Sequence, residues 1–230
     1  MPFPEEFQAL RLSLQAATLG TLLGFPVALV VGWLLVKSSI PGKAALDTLV
    51  SFPLVLPPVI TGYFLLILLA RNGPVGSIIY KLFGADILFT WAAIGLAAGV
   101  ISLPLMVRAI EVAISNVDPR LELAARSLGA GPVRTFATVT VPLAYRGIIA
   151  AIFLGFARGL GEFGATIVVA GNIPGSTQTI PLAAFTSLQS GDDTAALRFV
   201  GLSLTLALVT LSLHHLLIRR RTSRHPWVTY

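Results

Sequence analysis

Residues 108–146 read RAIEVAISNVDPRLELAARSLGAGPVRTFATVTVPLAYR, the longest stretch of mixed polarity in an otherwise apolar chain. Asp118 is a natural helix N-cap with Pro119 at the first helical position. Leu121, Ala124, Ala125 and Leu128 then recur at helical spacing, Gly129 and Gly131 mark a C-terminal end, and Pro132 blocks continuation. The pattern predicts a short helix over about 119–128 with a face of small residues, followed by Val139–Pro142 leading back into apolar sequence. Two readings fit: a coupling element that a partner pushes on, or a surface helix filling space between two membrane crossings.

The flanks make the setting a membrane. Of 230 residues, 55% are hydrophobic and 11% charged, against about 25% charged in an ordinary soluble domain. Mean hydropathy is +0.86. So little polar surface excludes a cytosolic globular enzyme, a disordered chain and a coiled coil. A crossing helix needs about 20 apolar residues. Residues 12–36, 48–70, 87–107 and 199–218 meet that length without a charge. Residues 147–170 form a fifth expected span that carries Arg158 and Glu162. Residues 171–189, GNIPGSTQTIPLAAFTSLQ, read as a loop plus a short amphipathic or re-entrant helix, with a sixth crossing as the alternative. The opening MPFPEEFQALR lacks the form of a cleavable signal.

Net charge is +6, and its distribution follows the membrane rather than a nucleic-acid face. With five spans and the N-terminus outside, eleven Lys and Arg fall on the inner side, among them Lys37, Lys43, Arg108 and the tail Arg219, Arg220, Arg221 and Arg224. Four fall outside: Arg11, Arg71, Lys81 and Arg198. The positive-inside rule therefore selects N-terminus outside, C-terminus cytoplasmic.

Pro26, Pro53, Pro57, Pro58 and Pro104 lie in or beside spans, and each removes a backbone hydrogen bond. Proline is common in membrane helices, yet broken helices at depth also line cavities; Pro57, Pro58 and Thr61 are the candidates for that role. Arg158 and Glu162 share a face at i,i+4 on a continuous helix. Ionisable groups at depth cost roughly 2.5–3.5 kcal/mol each on insertion scales. They are either a self-neutralising pair or, with Gly161 and Gly164 beside them, part of a permeation path or gate.

No Gly-x-x-x-x-Gly-Lys-Ser/Thr loop, Gly-x-Ser-x-Gly elbow or HExxH motif is present, so no catalytic residue is assigned. Cysteine is absent. His214 and His215 are adjacent and point about 100° apart, a poor metal pair, and His225 sits alone in the tail. No metal site is expected.

Ala124-Ala125-Arg126-Ser127-Leu128-Gly129, nine residues, then Val139-Thr140-Val141-Pro142 resembles the cytoplasmic EAA loop of ABC importer permeases. Leu123 stands at the Glu position of that pattern and Glu122 one residue before it. The runs IPGK (40–43), PLVLPPVITGYFLL (53–66), SLPLMVRAI (102–110), ARGLGEFGATI (157–167) and NIPGSTQTIP (172–181) resemble the molybdate subgroup of that family. The resemblance implies an all-α type I importer transmembrane domain in the inner membrane of a bacterial or archaeal cell. It also implies a homodimer, two ATPase subunits that use ATP and Mg while this chain binds no cofactor, and a periplasmic or lipid-anchored binding protein that delivers molybdate. Tungstate and sulfate or thiosulfate permeases share much of these regions. Carried onto this chain, Glu122, Ala124, Ala125, Arg126, Leu128, Gly129 and Ala130 are the expected ATPase-coupling residues. A passive channel, a scaffold and a membrane-embedded enzyme are the readings of a different class.

Overall fold

The structure is a computed structural model that describes residues 4–37 and 41–219. The basic tail from Arg220, with Arg221, Arg224 and His225, lies outside the described residues. Among the described residues the chain is all-helical. It begins with α1 (Pro4–Lys37), α2 (Lys43–Val55), α3 (Pro58–Leu69), α4 (Gly76–Phe83) and α5 (Trp91–Ser115). It continues with α6 (Pro119–Ser127), α7 (Pro132–Thr135), a π-helical turn (Phe136–Thr140) and α8 (Val141–Leu160). The last helices are α9 (Gly164–Val169), α10 (Ile180–Gln189) and α11 (Asp193–Arg219). Among the described residues four helical stretches are long and apolar enough to cross a membrane: 5–37, 91–115, 132–160 and 193–217. The pair α2 and α3 makes a fifth if its two halves count as one span.

That pair departs from the single span expected over 48–70. Its halves meet at 115°. The cause is local. Leu56 precedes Pro57 and is extended, at φ −74° and ψ 141°; Pro57 precedes Pro58 and sits at φ −54° and ψ 133°. Each proline pushes the residue before it out of the helical region and offers no amide of its own. Pro58 then starts α3 at a position that suits its fixed φ.

Two more boundaries differ from expectation. The helix expected over 87–107 starts at Trp91, where the Thr90 hydroxyl accepts the Ala93 amide, and runs on to Ser115. Arg108 does not end it, because its charge is answered on the same helix by Glu111. The span expected over 147–170 is instead the end of a longer stretch that starts at Pro132 and stops at Leu160. Gly161–Phe163 interrupts it, and α9 follows. The segment between the two long stretches is therefore shorter than 108–146.

α5 is the central helix. Along its contact with α1, glycine meets glycine: a Cβ on Gly20 would stand 2.7 Å from the Gly99 amide nitrogen, so the two backbones touch. Small residues permit that approach, and dispersion then holds helices together where lipid offers no hydrophobic drive. Nearer the α6 end, Ala28, Leu35, Val107, Ile110, Ile114 and Ile148 form one core cluster. Of the four long helical stretches the one in α11 is the least buried, leaving Leu197, Leu204, Leu208 and Leu211 exposed.

Candidate functional site

α6 is built as its sequence dictates. The Asp118 carboxylate accepts the Arg120 amide at 2.9 Å, satisfying a first-turn donor. At the other end the Ala130 amide donates to Ala125 O (3.1 Å) and the Gly129 amide to Arg126 O (3.0 Å). These two bonds are the Schellman closure, and it requires Gly129 in the left-handed region, at φ 88°.

The two faces of α6 differ. Glu122 turns inward: its Oε1 accepts from Thr140 Oγ1 at 2.6 Å and its Oε2 pairs with Lys37 Nζ at 2.9 Å. Burial alone would raise the Glu122 carboxyl. The Thr140 hydroxyl, then the Lys37 ammonium, outweigh it and hold the carboxyl below its ordinary value. One side chain thus ties α6 both to the last turn of α1 and to the π-helical turn that starts α8. Of the expected coupling residues, Glu122 is the buried one. The outer face is open: Leu121, Ala124 and Leu128 share it at spacings of three and four and are exposed, Leu128 at 89%. Leu123 and Arg126 are exposed on other sides of the helix, Gly129 is exposed beyond its end, and Ala125 and Ala130 are half-buried.

The second site lies where the two interrupted helices meet. A Cβ on Gly164 would stand 2.8 Å from Pro58 Cβ, and one on Gly62 2.7 Å from Ala165 Cα. The Pro57–Pro58 bend therefore seats directly on the Gly161–Gly164 break. Glu162 is no longer on a helix with Arg158, since α8 ends between them, yet Arg158 Nη1 still reaches Glu162 Oε2 at 2.9 Å. Glu162 Oε1 meanwhile accepts the Ala165 amide at 2.8 Å, so the carboxylate also satisfies a first-turn donor of α9. Glu162 is buried and the Arg158 side chain is 30% exposed. Beside Thr61, on α3, Gly62 makes the backbone contact, and the Thr61 and Thr166 hydroxyls are buried without a hydrogen-bond partner. Gly161 is exposed and lines a cleft of about 190 Å³ with Leu160, Ile180, Leu206 and Thr210. The arrangement offers one anchored cation, one committed carboxylate and a contact between two breaks that small residues alone allow.

Sequence reasoning missed a third cluster. Arg108 pairs with Asp47 at 2.6 Å and Glu111 at 2.8 Å and donates to Ser51 Oγ at 2.6 Å. It fastens α2 to α5. The i,i+3 spacing of Arg108 and Glu111 was a readable signal; nothing in the sequence pointed to Asp47.

A family model described as "Binding-protein-dependent transport system inner membrane component" matches residues 20–223. The molybdenum transport system permease protein ModB of Escherichia coli (strain K12) is 48% identical over 93% of this chain and 94% of its own length. The sulfate transport system permease protein CysT of Salmonella typhimurium is 33% identical, over 90% of this chain and 75% of its own. Among solved structures, the inward-facing MetNI methionine ABC transporter superposes with a TM-score of 0.68 at 18% identity, covering 95% of this chain and 98% of that one; at that identity the likeness speaks for the fold.

Proposed function

The chain belongs to the family of inner membrane components of binding-protein-dependent transport systems, and from that membership we propose that two copies form the pathway of an ATP-driven importer for molybdate. The N-terminus is outside and the C-terminus cytoplasmic. Family membership itself implies an ATPase and a periplasmic binding protein as partners. In this reading two ATPase subunits, which hold the ATP and Mg, each grip the outer face of one α6.

The observation that carries the reading is the two-faced α6. Its open face of Leu121, Ala124 and Leu128 faces a partner, while Glu122, turned inward, is bonded to both Lys37 and Thr140. Force applied to that face reaches α1 and α8 through one carboxylate. α8 carries it to the Gly161–Gly164 break, and that break presses on Pro58. Displacement at α6 thereby becomes displacement between the broken helices, which supports alternating access by shear and hinge motion. The exposed leucines of α11 suit lipid or the second copy.

Molybdate is favoured over sulfate because the 48% relative carries molybdenum in its name and the sulfate permease stands at 33%. The test is ATP-dependent uptake into vesicles holding the assembled transporter, with molybdate, tungstate and sulfate in competition. Molybdate uptake that tungstate suppresses and sulfate leaves standing is the expected result. Dominant competition by sulfate moves the assignment to sulfate, and uptake without nucleotide removes the motor-driven mechanism. Since the chain has no cysteine, single thiols at Ser127→Cys and Ser190→Cys report the two sides of the membrane without background.

A further inference from the structure

At the end of the bundle away from α6, a cleft of about 410 Å³ opens between α1, the start of α5 and the loop before α10. Gln8, Arg11 and Gln15 line it from α1, Trp91 from α5, and Gly175 and Ser176 from the loop. Spacings of three, four and seven place Gln8, Arg11 and Gln15 on one face of α1. We propose that this cleft is an entry site that receives a tetrahedral oxyanion before it reaches the broken helices, an inference that rests on the oxyanion-import reading above.

The chemistry of the lining selects the ligand. Arg11 is the one charged residue on it, and no carboxylate lies among the lining residues. Glu6, one turn away, is already paired with Arg198 at 2.9 Å. A guanidinium fork matches two oxygens of a tetrahedral anion. The carboxamides of Gln8 and Gln15 and the Ser176 hydroxyl add neutral donors without adding charge. A dianion facing one cation is held weakly, which suits a stop in transit rather than storage.

The opposite wall is set in place by its own bonds. Thr177 Oγ1 accepts the Ile173 amide at 3.0 Å, Gln178 Nε2 donates to Asn172 Oδ1 at 3.0 Å, and the Ile180 amide donates to Ser13 Oγ of α1 at 2.9 Å. Gly175, at φ 76°, carries the turn past Gln8; a Cβ there would stand 3.3 Å from Gln8 Oε1. The cleft therefore exists before any ligand arrives, and binding pays little for ordering.

The chain's lack of cysteine again gives the test. Ser176→Cys in the full-length permease, assembled with its ATPase in detergent and again in vesicles, is titrated with a neutral thiol reagent. Molybdate and sulfate are added separately, against chloride at matched ionic strength. The expected result is saturable slowing of labelling by either oxyanion in both settings. Arg11→Gln raises the half-protecting concentration by at least about tenfold, equivalent to about 1.4 kcal/mol, and Arg11→Lys retains part of the protection. Ser190→Cys, exposed in the turn before α11, labels at one rate throughout. The inference is overturned by no protection, by protection that Arg11→Gln leaves unchanged, by an effect that appears in anionic-lipid vesicles without added oxyanion, or by protection that needs the binding protein and no oxyanion. Labelling of Ser176→Cys without anion reports that the cleft is intact in each variant. Uptake by the assembled transporter is measured in parallel: persistent uptake without protection defeats this site alone, whereas absent uptake defeats the import reading.

Discussion

Gly62 on α3 lies so close to Ala165 on α9 that a Cβ added to it would stand 2.7 Å from the Ala165 Cα. The obstacle is backbone, which cannot rotate away. Gly62→Ala forces the two helices apart and costs about 1–3 kcal/mol as an overpacking change, read as a lower thermal midpoint of the purified permease and reduced uptake. Gly161→Ala meets no atom within 4 Å and has φ −90°. It leaves the midpoint in place, and equal effects from the two substitutions would contradict the packing account.

Gly129 separates strain from size. At φ 88° with nothing within 4 Å of an added Cβ, the position has room but an unfavourable backbone. Gly129→Val costs about 1–2 kcal/mol through the left-handed conformation and undoes the Schellman closure. Membrane insertion persists while substrate-stimulated ATP hydrolysis falls. Gly129→Asn, a residue that tolerates this region, retains more coupling than Gly129→Val. ATPase assays on reconstituted transporter decide it.

Lys37 and Glu122 supply a pH prediction. The Glu122 carboxyl is held below its ordinary value of 4.5 in the folded protein. Its contribution is therefore fully present above that value and is lost as pH falls through the lower folded value. The protection factors of the α6 amides, corrected for the intrinsic pH dependence of exchange, should fall on acidification below about pH 4.5 in the native chain, and Glu122→Gln should flatten that dependence. Lys37→Met leaves the carboxylate with Thr140 alone and costs about 1–3 kcal/mol; the double substitution with Glu122→Gln recovers part of the loss. Failure of that recovery would argue against a direct pair.

Glu162→Gln keeps an oxygen for the Ala165 amide but leaves Arg158 without its carboxylate. The expectation is an assembled complex with normal basal ATP hydrolysis and oxyanion uptake reduced about tenfold, a change of about 1.4 kcal/mol. Unchanged uptake by a normally assembled complex would reduce the pair to charge neutralisation within the bundle.

Hydropathy located the long helices because period and length are local properties. The Asp118–Pro119 start and Gly129 end of α6 were legible for the same reason. Pro57 and Pro58 announced a break, but its 115° angle depends on what α3 packs against, and Gly62 and Gly164 reveal that only once α9 is in place. Charge normally stops a span, so Arg108 reads as an end; one of its answers, Glu111, is legible at i,i+3 on the same helix, and the other, Asp47, lies on another helix. Glu122 reads in the sequence as one of the coupling residues, but its inward bonds were not legible there, because its partners Lys37 and Thr140 are distant in sequence and no periodicity couples them.

The interrupted crossing has different attachments on its two arms. Arg108 fastens the α2 arm to α5, and the glycine contacts clasp the α3 arm to α9. The two arms are thus held near opposite ends of α5: Arg108 lies toward its end, while Ala165 and Val169 of α9 share a core with Ala93, Ile94 and Ala97 at its start. A shift of α9 along α5 would be taken up at Leu56 and Pro57 as a changed elbow angle, with every helix keeping its length.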